Sequence, residues 1–179
     1  MIEKEQLTQH EMSADEVVSF YQELEKLGIN IWLDGGWGTD ALAGEQTRIH
    51  GDLDIIIQKK DADKVRSILE SRGYKIIPRD DLSELNFHLQ DQNGHEIDFT
   101  VIEFDEEGNG IYGPRENNEM NPADSFKGVG RINGQEIRCV SLEYAIKFKL
   151  DHEIGKHDAE DVRILCEKFG LEVPSRYLE

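Results

Sequence analysis

The chain has 179 residues, about the length of one domain, and its 38 acidic against 20 basic residues give a formal net charge of −18. Hydrophobic residues make up 37% of the sequence, enough for a folded core once the 16 glycines are added, which excludes wholesale disorder. The acidic balance repels nucleic-acid phosphates and anionic membrane surfaces, so neither is an expected partner. With no bilayer-length apolar run, no visible secretory signal and only two cysteines, the sequence predicts a cytoplasmic, reduced protein.

The first half of the chain alternates between helix and strand signals. Ser13 and Glu16 form a capping box, and Asp61 is placed to cap a later helix. In chain order we predict a helix that ends at Gly28, a strand over 29–33, a short helix over 39–43, a strand over 53–57, a third helix that ends at Gly73, and a strand over 74–77.

Two Asn-Gly pairs in the second half lie between strand-like runs and favour hairpins, at Asn93-Gly94 and Asn133-Gly134. A polar stretch over 103–126 between them predicts a long loop. Ser141 is placed to cap a helix that runs to about residue 154, and a last helix spans about 156–168. The fold class is α/β (α+β), a mixed β-sheet with flanking helices and a helical C-terminal part. We divide it into a core over 1–112 and a loop, hairpin and helical subdomain over 113–179.

A glycine pair follows the first predicted strand directly. Gly35 and Gly36 allow a ligand to approach the backbone closely, and their N–H groups can face phosphate oxygens. Gly-Gly pairs are common in loops, so this pair indicates a phosphate site only in combination with the acids that follow it.

Three acids lie on predicted strands after the glycine pair. Asp52 and Asp54 are two residues apart, so both project to the same side of their strand. Two carboxylates that converge repel each other, and a divalent cation such as Mg²⁺ relieves the repulsion; two solvated acids at an exposed strand end are the alternative. Asp98 lies in the middle of a later strand as a third metal ligand or a general base, and Glu96 on the same face is a rival for that role.

This pattern resembles the nucleotidyltransferase superfamily that includes DNA polymerase β. The strings WLDGGWGTDAL over 32–42 and TRIHGDLD over 47–54 are more specific. They are similar to those of the small antibiotic nucleotidyltransferases, with the short-type lincosamide enzymes first and the aminoglycoside 2″-nucleotidyltransferases next. The resemblance is strong over about 31–57, looser around Asp98 and over 137–141, and does not cover about 103–130.

The resemblance implies a polymerase β-like nucleotidyltransferase fold and a definite chemistry. A nucleoside monophosphate, usually AMP from ATP, would pass to a hydroxyl of a small antibiotic with release of pyrophosphate. Asp52, Asp54 and Asp98 would hold Mg²⁺, and Asp98, or Glu96 in its place, would accept the hydroxyl proton. The Gly35-Gly36 turn would contact the triphosphate.

Three basic residues are candidates for nucleotide binding. Arg48 precedes the acid pair and would either meet a phosphate as a bidentate donor or pair with a carboxylate. Lys147 and Lys149 lie two apart on a predicted helix, about 200° around its axis, so they cannot both face one site. One of them would meet the triphosphate, as helix lysines do in many members of the superfamily.

Candidates for substrate binding are Trp37, Glu96 and Glu103. Trp37 lies beside the glycines, where its ring would stack on a base or a drug ring. Glu103 opens an acidic run that would attract a positively charged drug.

By resemblance the expected acceptor is a lincosamide, and the same chemistry on an aminoglycoside is the alternative. A nucleotidyltransferase-fold protein that modifies or binds a protein partner is a second alternative, because fold alone does not give function. A chain of this size offers limited walls for a drug pocket, so a homodimer is also considered.

Overall fold

The computed structural model describes residues 11–113 and 119–178 of the chain. Its α-helices are α1 Ala14–Lys26, α2 Gly35–Ala43, α3 Lys59–Ser71, α4 Leu142–Leu150 and α5 Asp158–Phe169. Its strands are β1 Ile31–Leu33, β2 Asp52–Gln58, β3 Lys75–Ile76, β4 Asn86–Gln90, β5 Glu96–Phe104, β6 Gly110–Ile111, β7 Met120–Asn121, β8 Gly128–Ile132 and β9 Gln135–Cys139. Short 3₁₀ turns cover Ala123–Lys127 and Ser175–Tyr177.

The strands form one mixed sheet in the order β3-β4-β5-β2-β1-β9-β8, with β6 and β7 added at the end of β5. At its centre β2 and β5 run parallel, with Asp52 opposite Glu96 and Asp54 opposite Asp98. β1 pairs antiparallel with β2 and parallel with β9. The predicted mixed α/β class is confirmed, and the register brings the acids of β2 and β5 to one face of the sheet.

The two faces of the central strands have different neighbours. Leu53 and Ile55 belong to the larger core, which the sheet forms with α1 and α3. The opposite face carries Asp52 and Asp54, followed by Ile56, which joins a smaller core with residues of α4. The acids therefore occupy the polar end of a face whose other end is apolar.

Helix starts show where local signals succeed and fail. The capping box of α1 is confirmed, with both of its hydrogen bonds formed. The start predicted for α2 at residue 39 is wrong, because the Asp34 side chain caps Gly35 and the glycine pair becomes the first turn of the helix. Asp61 lies in the first turn of α3 and does not cap it, since β2 passes directly into the helix at Lys59.

Both predicted hairpins are confirmed as antiparallel pairs, β4 with β5 and β8 with β9. Asn133 and Gly134 have φ of 48° and 78°, the left-handed pair that a tight two-residue hairpin needs. The loop predicted over 103–126 is wrong in part, because β5 continues to Phe104 and β6, β7 and a 3₁₀ turn follow. Residues 114–118 of that loop lie outside the described residues.

The C-terminal part joins the same sheet through β8 and β9. α4 ends at Leu150 rather than near 154, with Asp151 at its C-cap, and α5 begins at Asp158 rather than 156. The division of the chain at 112/113 stays a prediction. Within the described ranges, no helix has both the length and the apolar character that crossing a membrane requires.

Candidate active site

The site begins where β1 passes into α2. The Asp34 N–H donates to the Asp54 carbonyl oxygen at 3.0 Å, and the Asp34 carboxylate accepts from the Gly35 N–H at 2.8 Å. Gly35 has a φ of 56°, and a Cβ there would lie 2.0 Å from Asp54 Oδ2. A Cβ at Gly36 would lie 2.3 Å from His50 Nδ1. Only glycines allow the positive end of α2 to approach the acids and bases this closely.

Asp52, Asp54 and Asp98 converge as the sequence predicts. Each offers a carboxylate oxygen, and the three oxygens lie within 4.8 Å of one another. Asp98 Oδ1 is buried and accepts no hydrogen bond among the described residues, although His88 Nδ1 lies close to it. Several carboxylate oxygens at this spacing are the donors that a hard divalent cation takes, and the cluster therefore fits such an ion.

The electrostatics of the cluster also favour a cation. Burial, and then repulsion from Asp52 and Asp98, raise the pKa of Asp54 well above its usual range. Burial and the charge of Asp98 likewise raise the pKa of Asp52. Burial raises the pKa of Asp34 at the adjoining helix cap. Negative charge is therefore under-compensated here, and a bound cation would restore the ionised forms.

Glu96 borders the cluster on β5 and is nearly fully buried. Burial and the charge of Asp98 raise the pKa of Glu96 to about 7, although Arg79 forms an ion pair with it. His88 on β4 has Nδ1 at 2.7 Å from Asp98 Oδ1, but out of line for a hydrogen bond. Asp98 and Glu96 therefore lie on one face of β5 and each has a basic neighbour, His88 for Asp98 and Arg79 for Glu96.

Two cations border the glycine turn and share one carboxylate. Asp161 of α5 accepts from Arg48 Nε at 3.1 Å and from Arg48 Nη2 at 3.3 Å, and lies 3.1 Å from Lys149 Nζ. Asp158 also binds Lys149 Nζ, at 3.2 Å. Burial alone would lower the pKa of Lys149, but the carboxylates of Asp161 and Asp158 outweigh burial and raise it. Lys149 therefore stays charged.

A buried pair holds the loop between α2 and β2. Asp40 Oδ2 lies 2.5 Å from His50 Nε2, and Asp40 Oδ1 accepts from the Thr47 backbone N–H and hydroxyl. Trp37 packs against the His50 ring at 4.7 Å between centroids. This loop carries Arg48, so the pair fixes the backbone from which the guanidinium extends.

Two cavities adjoin the acid cluster. The first has about 370 Å³ and is lined by the glycine pair, five acids and four cations, namely Gly35, Gly36, Asp52, Asp54, Glu96, Asp158, Asp161, Arg48, Arg79, Lys149 and Lys156. The second has about 830 Å³ and lies further along the same sheet face, where Ile56 and Thr100 follow the acids. Its other walls are mainly aromatic and apolar with an acidic rim, namely Tyr112, Tyr144, Phe148, Met120, Pro122, Asp34, Glu119, Asp151, Lys147 and His152.

Some predicted site residues lie away from the cluster. Lys147 is exposed and lines the second cavity, whereas Lys149 lines the first, so the two lysines face different sites as predicted. Trp37 is 1% exposed, and stacking on a ligand would require it to leave the core. Glu103 is exposed near Lys59 and lines neither cavity; its odd offset from Asp98 places it on the other side of β5.

Sequence reasoning missed Arg79, Tyr144 and Phe148 as lining residues of the two cavities. Arg79 lies in a polar segment without a motif, so nothing local marks it. Tyr144 and Phe148 are four residues apart on α4, which is the spacing of one helix face. That spacing is a detectable signal, although it is also typical of core residues.

Convergent acids on β2 and β5 beside a glycine-led helix define a nucleotidyltransferase, and solved structures share the fold. The lincosamide antibiotic adenylyltransferase LnuA with bound lincomycin matches with a TM-score of 0.76 and 27% identity, over 87% of this chain and 98% of that one. ANT(2″)-Ia in complex with adenylyl-2″-tobramycin matches in fold, with a TM-score of 0.67 and 21% identity over 88% and 89%.

The sequence comparisons give the family. The model of the aminoglycoside-2″-adenylyltransferase family matches residues 16–165, and the chain belongs to that family. A lincosamide resistance protein of Staphylococcus haemolyticus is 30% identical over 142 residues, which are 79% of this chain and 86% of the relative. A 2″-aminoglycoside nucleotidyltransferase of Escherichia coli is 26% identical over 156 residues, 83% and 82% of the two chains. The predicted family, fold and enzyme class are confirmed.

Proposed function

We propose that this enzyme transfers AMP from ATP to a hydroxyl of a lincosamide, with Mg²⁺ as its metal. The observation that carries the proposal is the convergence of Asp52, Asp54 and Asp98 within 4.8 Å beside the first turn of α2. Nucleotidyl transfer by the relatives implies a nucleoside triphosphate and a divalent metal, and these carboxylates would hold that metal. When bound, it would neutralise charge on the triphosphate and on the reacting oxygens.

The chain's own groups account for the remaining requirements. The acceptor hydroxyl oxygen forms a bond to the α-phosphorus as the bond to the β-phosphate oxygen breaks, and pyrophosphate leaves. Asp98, or Glu96 beside it, would take the hydroxyl proton. The N–H groups at Gly35 and Gly36 and the cations of the first cavity suit the departing phosphates.

The positions of the two cavities support an assignment of substrates. In an in-line displacement the attacking and leaving oxygens lie on opposite sides of the phosphorus. The first cavity carries Arg48 and Lys149 and suits the triphosphate, so the acceptor would approach from the second cavity, further along the same face.

The walls of the second cavity favour a lincosamide. Tyr144, Phe148 and Met120 offer apolar surface, and Asp34 and Glu119 offer negative charge near it. A lincosamide combines one basic amine with apolar substituents and a hydroxylated sugar, which matches this mixture. The relatives support the same choice, because the lincosamide resistance protein is 30% identical and the 2″-aminoglycoside enzyme 26% identical.

An aminoglycoside is the second candidate acceptor. The net charge of −18 would attract a polycation, and the matching family model carries the aminoglycoside name. The predicted attraction of a cationic drug by Glu103 belongs to this alternative.

The test is a turnover screen with ATP, Mg²⁺ and single drugs from both classes, followed by pyrophosphate release and product mass. We expect a product heavier by one AMP with lincosamides. Product with aminoglycosides alone would overturn the acceptor class and keep the chemistry. If ATP binds and no drug is modified, a protein or another metabolite becomes the candidate acceptor. Whether the protein forms a homodimer is tested separately by gel filtration.

The assignment of the second cavity has its own test. Phe148→Ala removes an aromatic wall, so we expect the KM for the drug to rise about tenfold or more while the KM for ATP changes little. Phe169→Ala, at an exposed aromatic residue at the end of α5, is the matched control. A rise in the KM for ATP instead would assign this cavity to the nucleotide.

A further inference from the structure

Arg48 and Lys149 come from distant parts of the chain and meet at one carboxylate. Arg48 lies in the loop before β2, and Lys149 lies in the last turn of α4. Asp161 of α5 binds both, with its two oxygens on Arg48 Nε and Nη2 and one of them also on Lys149 Nζ. Asp161 is 1% exposed, and it lines the wall of the first cavity together with Arg48 and Lys149.

The arrangement directs the guanidinium of Arg48 towards the glycine turn. Arg48 Nη2 would lie 2.7 Å from a Cβ at Gly36, so the group stands directly over the first turn of α2. Its Nε and Nη2 edge is held by Asp161, and Nη1 donates to the Ile49 carbonyl oxygen at 3.2 Å. A planar guanidinium that is held along one edge has a fixed orientation. A lysine ammonium at the same place could still rotate freely.

The charges in this group balance. Two cations, Arg48 and Lys149, face two buried carboxylates, Asp158 and Asp161. Without a carboxylate at 161, both cations would lose a partner and would be drawn towards Asp52 and Asp54, the acids of β2 that line the same cavity. Asp161 therefore keeps the cations from collapsing onto the metal-binding acids.

We propose that Asp161 is a positioning residue, which holds Arg48 and Lys149 in place for the β- and γ-phosphates of a nucleoside triphosphate. This inference rests on the proposed function. Asp161 acts through the two cations and contacts no reacting atom. Residues that orient the ligands of a metal ion are typically worth about 10- to 100-fold in affinity, and we expect a similar order for a residue that orients two phosphate-binding cations.

The experiment measures ATP binding by calorimetry, so it does not depend on turnover of any drug. Asp161→Asn keeps the shape of the side chain and removes its charge, and we expect the Kd for ATP to rise about 10- to 100-fold. Asp63→Asn, on the exposed side of α3, is the matched control and should bind ATP as the unaltered protein does. Where a drug is turned over, the KM for ATP should rise while the KM for the drug changes less than threefold.

A double-mutant cycle separates positioning from a merely structural role. Because Asp161 also holds Lys149, Asp161→Asn should have a clearly smaller effect on the Kd for ATP in an Arg48→Gln background than in the unaltered protein, and little further effect when Lys149 is replaced as well. If the two losses instead multiply, or if Asp161→Asn binds ATP normally, the proposal is overturned. Arg48→Lys keeps the positive charge but loses the planar guanidinium that Asp161 holds, and it is measured in case Asp161→Asn does not fold. A normal Kd for ATP in Arg48→Lys would also overturn the proposal.

These outcomes are distinguishable from failure of the proposed function. Unaltered protein that binds no nucleoside triphosphate would remove both proposals together. Unaltered protein that binds ATP but modifies no drug removes only the acceptor class, and the binding comparison of Asp161 and Arg48 variants still decides the role of Asp161.

Discussion

Gly35→Ala is expected to disable the site by moving one carboxylate. A Cβ at residue 35 would lie 2.0 Å from Asp54 Oδ2, whereas real Cβ contacts stay beyond 3.0 Å, so the oxygen must move by 1.0 Å or more. A displacement of this size in a reacting constellation costs about 100-fold in rate. The φ of 56° adds backbone strain of about 1–2 kcal/mol, which lowers Tm by a few degrees.

Gly44→Ala separates these two effects. Gly44 ends the same helix with a φ of 80°, and a Cβ there would meet nothing within 4 Å. We expect a similar fall in Tm from both variants by calorimetry, but a fall of about 100-fold in kcat/KM from Gly35→Ala alone. Equal kcat/KM values for the two variants would refute the claim that close approach of Gly35 to Asp54 sets the position of that carboxylate.

Three further predictions concern charge and packing. Burial and Asp98 raise the pKa of Glu96 to about 7, so its neutral form stabilises the metal-free fold at low pH, and this contribution is lost as pH rises from about 4.5 through about 7. Urea unfolding across that range should show the loss of stability, and Glu96→Gln should remove this pH dependence. Mg²⁺ should raise Tm by relieving carboxylate repulsion, and Asp54→Asn should abolish most of the rise; an unchanged rise would contradict the metal site. Gly130→Ala would place a Cβ 2.2 Å from the Ala41 backbone and should lower the free energy of unfolding, measured in urea, by about 3 kcal/mol or more. Gly134→Ala is the control, and we expect no effect from it beyond backbone strain.

Much of the fold follows from local sequence. The capping box of α1 and the two Asn-Gly hairpins are short-range devices, so the residues that form them are also the residues that identify them. The two-residue strands β6 and β7 are different, because they are held by pairing with β5 and with each other. Such short pieces have no periodicity of their own, so the sequence predicts only a loop there.

The candidate site divides in the same way. The spacing of Asp52 and Asp54 predicts their common direction, and the parallel register with β5 then brings in Asp98. The start of α2 at Gly35 could not be predicted from glycine's low helix propensity, because the cap from Asp34 overrides it. The role of Asp161 as a common partner of two cations depends on tertiary packing of α5, which no local pattern shows.

The position of β1 in the sheet has a consequence for synthesis on the ribosome. The Asp34 turn is held on one side by Asp54, and on the other the Val140 N–H donates to the Leu33 carbonyl oxygen at 2.9 Å. A strand can pair only after it has left the ribosome, so this second hydrogen bond forms only once Val140 has passed the exit tunnel. Lys149 emerges later still. The nascent polypeptide therefore presents Arg48 and the three acids to solvent well before Lys149, a cation of the same site, has been added.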